Sequence, residues 1–209
     1  MKRLLVVTLT MAVAVGVIAA ATTAATGGKA ASEARRSEAA KPKLPPLPAE
    51  VRARKRWIIG VKCDVPPFGY INVKGENAGF DVEIARWFAR YAFGKSNRVA
   101  FVCAPTPARE PLLTTGRADL VISTFTYTRD RDTRIDFSRA YYKATGRLLV
   151  KNDSPIQSLA DLKGTRVATT SGSIYDRRLK NCVPDTSVTV ADSFTNALLA
   201  SKLTNDLFL

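Results

Sequence analysis

Histidine is absent from the 209 residues of this chain. That removes imidazole general bases, Ser-His and Cys-His nucleophile pairs and His-ligated metal sites together. Cysteine is scarce: Cys63, Cys103 and Cys182 allow one disulfide and leave one thiol over. Negative charge is also in deficit, with a formal net charge of +14. Such a surplus points to nucleic acid or an anionic membrane only if the folded part carries it. Residues 1–56 hold 11 Lys/Arg against 3 Asp/Glu, which leaves +6 for the remaining 153 residues. The excess belongs mostly to the tail, and no nucleic-acid partner is expected.

The start, "MKRLLVVTLTMAVAVGVIAAATTAATGG", has a basic end at Lys2 and Arg3, an apolar run and small residues at its close. Residues 1–26 therefore read as an export signal, which places the mature protein outside the cytoplasm. The rival reading is an uncleaved anchor, since Leu4 to Thr26 is long enough to span a bilayer. Residues 27–56 mix Ala, Pro and charge without apolar periodicity and read as a disordered, solvated linker.

From Trp57 onward short apolar runs alternate with amphipathic stretches. "RWIIGVKCD" reads as a buried strand, and "PPFGYINVKGENAGF" as an excursion that bends at Lys74-Gly75-Glu76-Asn77. Asp81 is expected to cap a helix with Val82, Ala85, Phe88, Ala89 and Ala92 on one face. "RVAFVC" and "ADLVIST" are further strands around a short helix in "AREPLLTTG". This order predicts an α/β fold with a parallel sheet that binds ligands at the C-terminal ends of its strands. Lys62 ends the first strand, Thr106 and Arg109 follow the second, and Thr124, Thr126 and Arg131 follow the third. Hydroxyls and guanidiniums on one rim suit an anionic small molecule. A bridge between Cys63 and Cys103 is sterically plausible, because each ends one of two neighbouring strands; three buried thiols is the alternative. A second unit starts near Arg147, with a short helix in "SPIQSLADLKG", strands "TRVATT" and "TSVTV", and helices in "SGSIYDRRLKN" and "SFTNALLASKL". The Ser171-Gly172-Ser173 turn is expected to offer free N–H groups at a helix N-terminus, a natural anion site.

The stretches "PPFGY", "GFDVEIARWFA", "REPLLTTGRADLVISTFTYTRDRDTRIDFSRAYY", "LLVKNDSPIQSLADLKGTRVATTSGS" and "VADSFTNALLA" follow one another along the chain. In that order the chain, from about Trp57 to Ala200, resembles the extracellular solute-binding proteins of polar amino-acid ABC importers. The resemblance implies the type II periplasmic binding-protein fold, two lobes each with a mostly parallel sheet flanked by helices. The first lobe would cover 57–146 and a partial second lobe 147–209. It implies that Arg131 forks onto the ligand's α-carboxylate, and that Thr124 and Thr126 contribute hydroxyl or backbone contacts. Phe68 would be the pocket aromatic. Ser171, Gly172, Ser173 and Ile174 would bring second-lobe N–H groups, and Thr170 would face the ligand's side chain. The family's adjacent first two strands support the Cys63–Cys103 pairing.

Arginine suits the role given to Arg131 because its planar guanidinium donates two parallel hydrogen bonds to a carboxylate. Read from the residues alone, an ion pair with Asp130, Asp132 or Asp136 is the alternative. Most of the family carries an acidic residue near the place of Lys62. Lys62, Arg109 and Arg131 outnumber one α-carboxylate, and a surplus cation in a closing cleft is costly to desolvate. An acidic amino acid, glutamate or aspartate, is therefore the expected ligand. If Arg109 instead faces Glu110 or Asp64, glutamine or another polar amino acid fits. The expected function is a monomeric, non-enzymatic receptor that serves an ABC permease, with no metal or cofactor. The alternatives are a membrane-tethered amino-acid sensor and a dehydratase-like enzyme, for which Asp64 is the only nearby carboxylate. After "ALLA" the family pattern continues into a strand bearing an aspartate, whereas "SKLTNDLFL" does not; the second lobe is expected to be truncated.

Overall fold

A computed structural model of the chain describes residues 46–204 together with 207–208. The expected export signal, and the linker as far as residue 45, lie outside the described residues. The first element corrects the linker reading: residues Ala49–Arg54 form a helix, α1. Val51 is buried and packs with Leu47 against Trp57, Ile59 and Val82. Leu47, just before the N-cap Pro48, and Val51 within the helix dock this short element on the core. Asp119 fastens its end, pairing with Arg54 at 2.6 Å and accepting the Ile58 amide at 2.7 Å.

Strand β1 (Trp57–Val61) leads into an antiparallel excursion of β2 (Asp64–Val65), β3 (Gly69–Ile71) and β4 (Asn77–Ala78). Helix α2 (Phe80–Phe93), β5 (Val99–Cys103), α3 (Arg109–Thr114) and β6 (Leu120–Ile122) follow. The main sheet has the order β5-β1-β6, all parallel, so the earliest strand is central. Val61 stands opposite Cys103, and a disulfide joins Cys63 to Cys103 with Cα atoms 5.6 Å apart. Cys182 is exposed and unbridged. Helix α2 lies close on the sheet because its inward residues, Val82, Ala85 and Ala89, are small and fully buried. Its cap is not Asp81 but Gly79, at φ +118°, where a side chain would collide with the Phe68 carbonyl.

After α4 (Arg129–Asp132) the chain runs mostly without regular structure to a 3₁₀ turn at Leu159–Leu162. This 3₁₀ turn stands where the sequence predicts a short helix. Reciprocal bonding between Ser158 and Asp161 caps it. Then come β7 (Arg166–Thr170), α5 (Ile174–Cys182), β8 (Ser187–Ala191), α6 (Phe194–Thr204) and β9 (Leu207–Phe208). The second sheet, β8-β7-β9, is parallel and repeats the plan of the first. Its core groups Leu162, Val167 and Leu179 on one side, and Ala168 with Ala197 on the other. No helix among the described residues is long and apolar enough to cross a membrane.

Candidate ligand-binding site

Three buried cations gather where β1, β5 and β6 end. Lys62 is 2% exposed, and its Nζ donates to Thr106 Oγ1 at 2.8 Å. Arg109 is 5% exposed; its Nε donates to the Thr106 carbonyl at 3.0 Å, and Nη1 to those of Ser123 and Thr124 at 3.3 and 3.0 Å. Arg131 is 6% exposed and donates from Nη1 to the Thr126 carbonyl and from Nη2 to the Gly172 carbonyl, each at 2.8 Å. Its backbone is held by the Thr128 hydroxyl, which accepts the Arg131 N–H at 3.2 Å and caps α4. The Phe125 ring receives both guanidiniums, 4.6 Å from Arg109 and 4.8 Å from Arg131. Among the described residues no carboxylate forms an ion pair with any of the three cations.

The end of β6 is fixed from α2. Thr124 adopts a left-handed φ of +46°, and Asp81 Oδ2 accepts its N–H at 3.0 Å. The other oxygen, Oδ1, accepts the Tyr141 hydroxyl at 3.1 Å. Burial pushes the Asp81 carboxyl up, opposed by the Thr124 amide and the Tyr141 hydroxyl. Both Thr124 and Thr126 reach the cations through backbone carbonyls.

The facing wall is the β7–α5 turn. Gly172 has φ +72°, and a Cβ there would stand 3.3 Å from the Pro107 Cα, so the two lobes touch at this point. Ser173 caps α5, its Oγ accepting the Asp176 amide at 3.4 Å. Two of the N–H groups expected to await an anion are engaged within the protein. Ser171 donates to the Ala191 carbonyl at 2.7 Å and Ser173 to that of Thr170 at 3.1 Å. Thr170 is buried at the end of β7. Ile174 instead lines a cavity of about 220 Å³ with Thr128, Arg177, Arg178 and Asn181. Phe68 is in edge-on contact with Phe80 and Tyr142.

Three carboxylates named from sequence have other work. Asp64 accepts the Phe194 amide at 2.9 Å, across to the second lobe. Glu110 pairs with Arg134, and Asp130 pairs with Arg134 at 3.2 Å and with Arg177 at 3.4 Å. Neither Glu110 nor Asp64 therefore neutralises Arg109, and Arg134 is the ion-pairing partner of Glu110 and Asp130.

The family model for bacterial extracellular solute-binding proteins, family 3, matches residues 57–206. The chain belongs to this family. The α/β architecture described above is the type II periplasmic binding-protein fold. This family 3 protein is 35% identical over 155 residues to the glutamine-binding protein of Geobacillus stearothermophilus, covering 73% of the present chain. It spans 59% of that relative's length. It is 30% identical over 204 residues to the ABC transporter glutamine-binding protein GlnH of Bacillus subtilis, covering 97% of the present chain and 71% of GlnH. Among solved structures, the cysteine-binding protein from Campylobacter jejuni superposes with a TM-score of 0.74 at 30% identity, covering 76% of this chain and 64% of that one.

In this solute-binding protein burial lowers the Lys62 ammonium to about 8, with repulsion from Arg109 adding to it and Asp64 opposing. Burial and then Arg131 bring Arg109 down to about 10. Arg131 is lowered too, first by burial and next by Arg177. All three shifts point downward because burial is the largest cause of each, and a carboxylate placed among the cations would oppose each. Sequence reasoning missed Phe125 and the second role of Asp81. The signals were a phenylalanine between two rim threonines, and an acid flanked by Phe80 and Val82 on a core-facing helix.

Proposed function

We propose that this protein binds a free amino acid between its lobes, outside the cytoplasm, and presents it unchanged to an ABC permease. The observation that carries the reading is the Arg131 guanidinium: buried, without an acidic partner among the described residues, and bonded to carbonyls of both lobes. A ligand α-carboxylate is the guest that a fork of this kind accepts best. The Thr126 and Gly172 carbonyls flank the guanidinium, Thr124 holds the neighbouring Arg109, and Thr170 and Ser173 belong to the facing wall. Lys62 and Thr106 receive the ligand's side chain. A buried ammonium with a single hydroxyl partner favours a side-chain carboxylate, so glutamate or aspartate is the first reading. Glutamine is the second. It is favoured by the names of the two glutamine-binding relatives, and by Arg109, whose Nε and Nη1 are turned to backbone carbonyls rather than left to a ligand carboxylate.

Calorimetric titration of the purified protein with a panel of amino acids tests this. Glutamate or aspartate is expected to bind with a Kd on the order of 1 μM, and Arg131→Ala to lose every ligand. Retained binding in Arg131→Ala, or no binding of any amino acid by a folded protein, overturns the proposal. Glutamine bound more tightly than glutamate selects the second reading.

A further inference from the structure

Helix α2 is apolar on the side away from the core as well. Its inward residues are the small ones, Val82, Ala85 and Ala89. Its outward side shows Trp87 at 54% exposure, with Tyr91 and Phe88 beside it at 39% and 37%. The Trp87 ring lies 5.4 Å from each, stacked on Tyr91 and edge-on to Phe88. A surface helix ordinarily carries one apolar stripe and turns charge to water. A contiguous exposed aromatic patch is the informative exception.

The charges around this patch are mostly of one sign. Arg90, Lys95 and Arg98 are exposed, and Glu83 is matched by Arg86 at 2.5 Å. Trp and Tyr rings flanked by Arg and Lys suit the boundary layer of an anionic bilayer, with rings at headgroup depth and cations among the phosphates. A second copy of the chain fits less well, because a two-fold pairing sets this cationic patch against itself. Tyr91 lies ten residues beyond Asp81, about 15 Å along the helix from the ligand rim. A partner seated on it leaves the rim open.

We propose that the Trp87–Phe88–Tyr91 face of α2 docks on an anionic lipid surface and lays the first lobe against the membrane. The proposal is independent of which amino acid is bound, and of whether one is. The chain has two tryptophans, buried Trp57 and exposed Trp87, so emission reports the patch directly. The full chain is mixed with phosphatidylglycerol vesicles that carry brominated acyl chains, and with phosphatidylcholine vesicles brominated in the same way. The expected result is a blue shift and quenching on phosphatidylglycerol alone, reversed by high salt and absent in Trp87→Phe. Arg90→Gln is expected to weaken vesicle affinity about fivefold. Insertion of the apolar N-terminal run cannot mimic this signal, because that run contains no tryptophan. No quenching on phosphatidylglycerol overturns the proposal, and so does equal quenching on both lipids. A dimer in sedimentation that Trp87→Ser dissociates overturns it too, in favour of a second copy.

Discussion

On the proposed function Lys62 separates an acidic ligand from glutamine, and its proton is the handle for testing that role. The folded site releases that proton near pH 8, whereas the unfolded chain keeps it to about 10.5. Between these values the unfolded state binds more protons, so stability of the unliganded protein rises with pH across the window and is lost again as pH falls to about 8. Chemical denaturation at a series of pH values should show this slope in the native protein and lose it in Lys62→Met. A bound side-chain carboxylate favours the charged lysine, so glutamate affinity should fall as pH rises above about 8 more steeply than glutamine affinity. Glutamine is the internal control, since the α-ammonium of either ligand titrates alike. Equal slopes in calorimetry would remove Lys62 from the side-chain pocket. Lys62 and Arg131 were legible in the sequence because charged residues at strand ends stand out. The state of Arg109 was not, since its partners are backbone carbonyls, which every residue possesses and no sequence pattern marks.

At the scale of elements, the rim is held by two cross-ties. The first is Asp81, whose carboxylate carries the Thr124 amide and the Tyr141 hydroxyl from the start of α2. Asp81→Asn leaves one of these partners poorly matched and should cost about 1–3 kcal/mol in urea unfolding, with weaker ligand binding as Thr124 relaxes. The second is the Cys63–Cys103 bridge, which closes a loop of sequence separation 40. By chain entropy alone Cys103→Ser should lower stability by about 4 kcal/mol, read as a shift of the denaturation midpoint, and added reductant should reproduce it in the native protein. The succession of strands and helices was visible because each run has the length and period of its element. Helix α1 was not: only Leu47 and Val51 mark it, in a stretch whose Pro, Ala and charge read as linker. Asp81 looked like a cap because it precedes an apolar face, whereas Gly79 alone tolerates the backbone angle at the helix start.

At the scale of the whole molecule, specific contacts join the lobes among the described residues. Gly172 approaches Pro107 in a left-handed conformation. Gly172→Ala therefore faces both backbone strain, about 1–2 kcal/mol, and a crowded neighbour. It should weaken ligand affinity about tenfold while each lobe keeps its own packing, which paired calorimetric and thermal measurements distinguish. The Asp130–Arg177 pair also spans the lobes but is exposed, so Arg177→Ala should change affinity by less than about fivefold, with the difference vanishing at high salt. The two-lobed plan was readable from the repeated strand–helix order. How the Ser171-Gly172-Ser173 turn uses its amides was not, since Ala191, twenty residues away, takes one of them.

In each of the two parallel sheets the earliest strand lies in the middle, so Lys62–Asp64 and Ser171–Ser173 follow the two central strands. Neither turn lies within the strand registers of the two main sheets. The two turns differ in what else they hold: Lys62–Asp64 carries Cys63 of the disulfide and the Asp64 bond to Phe194, so on the proposed function Ser171–Ser173 is the jaw that can be exchanged for a related receptor's while the bridged chassis stays intact.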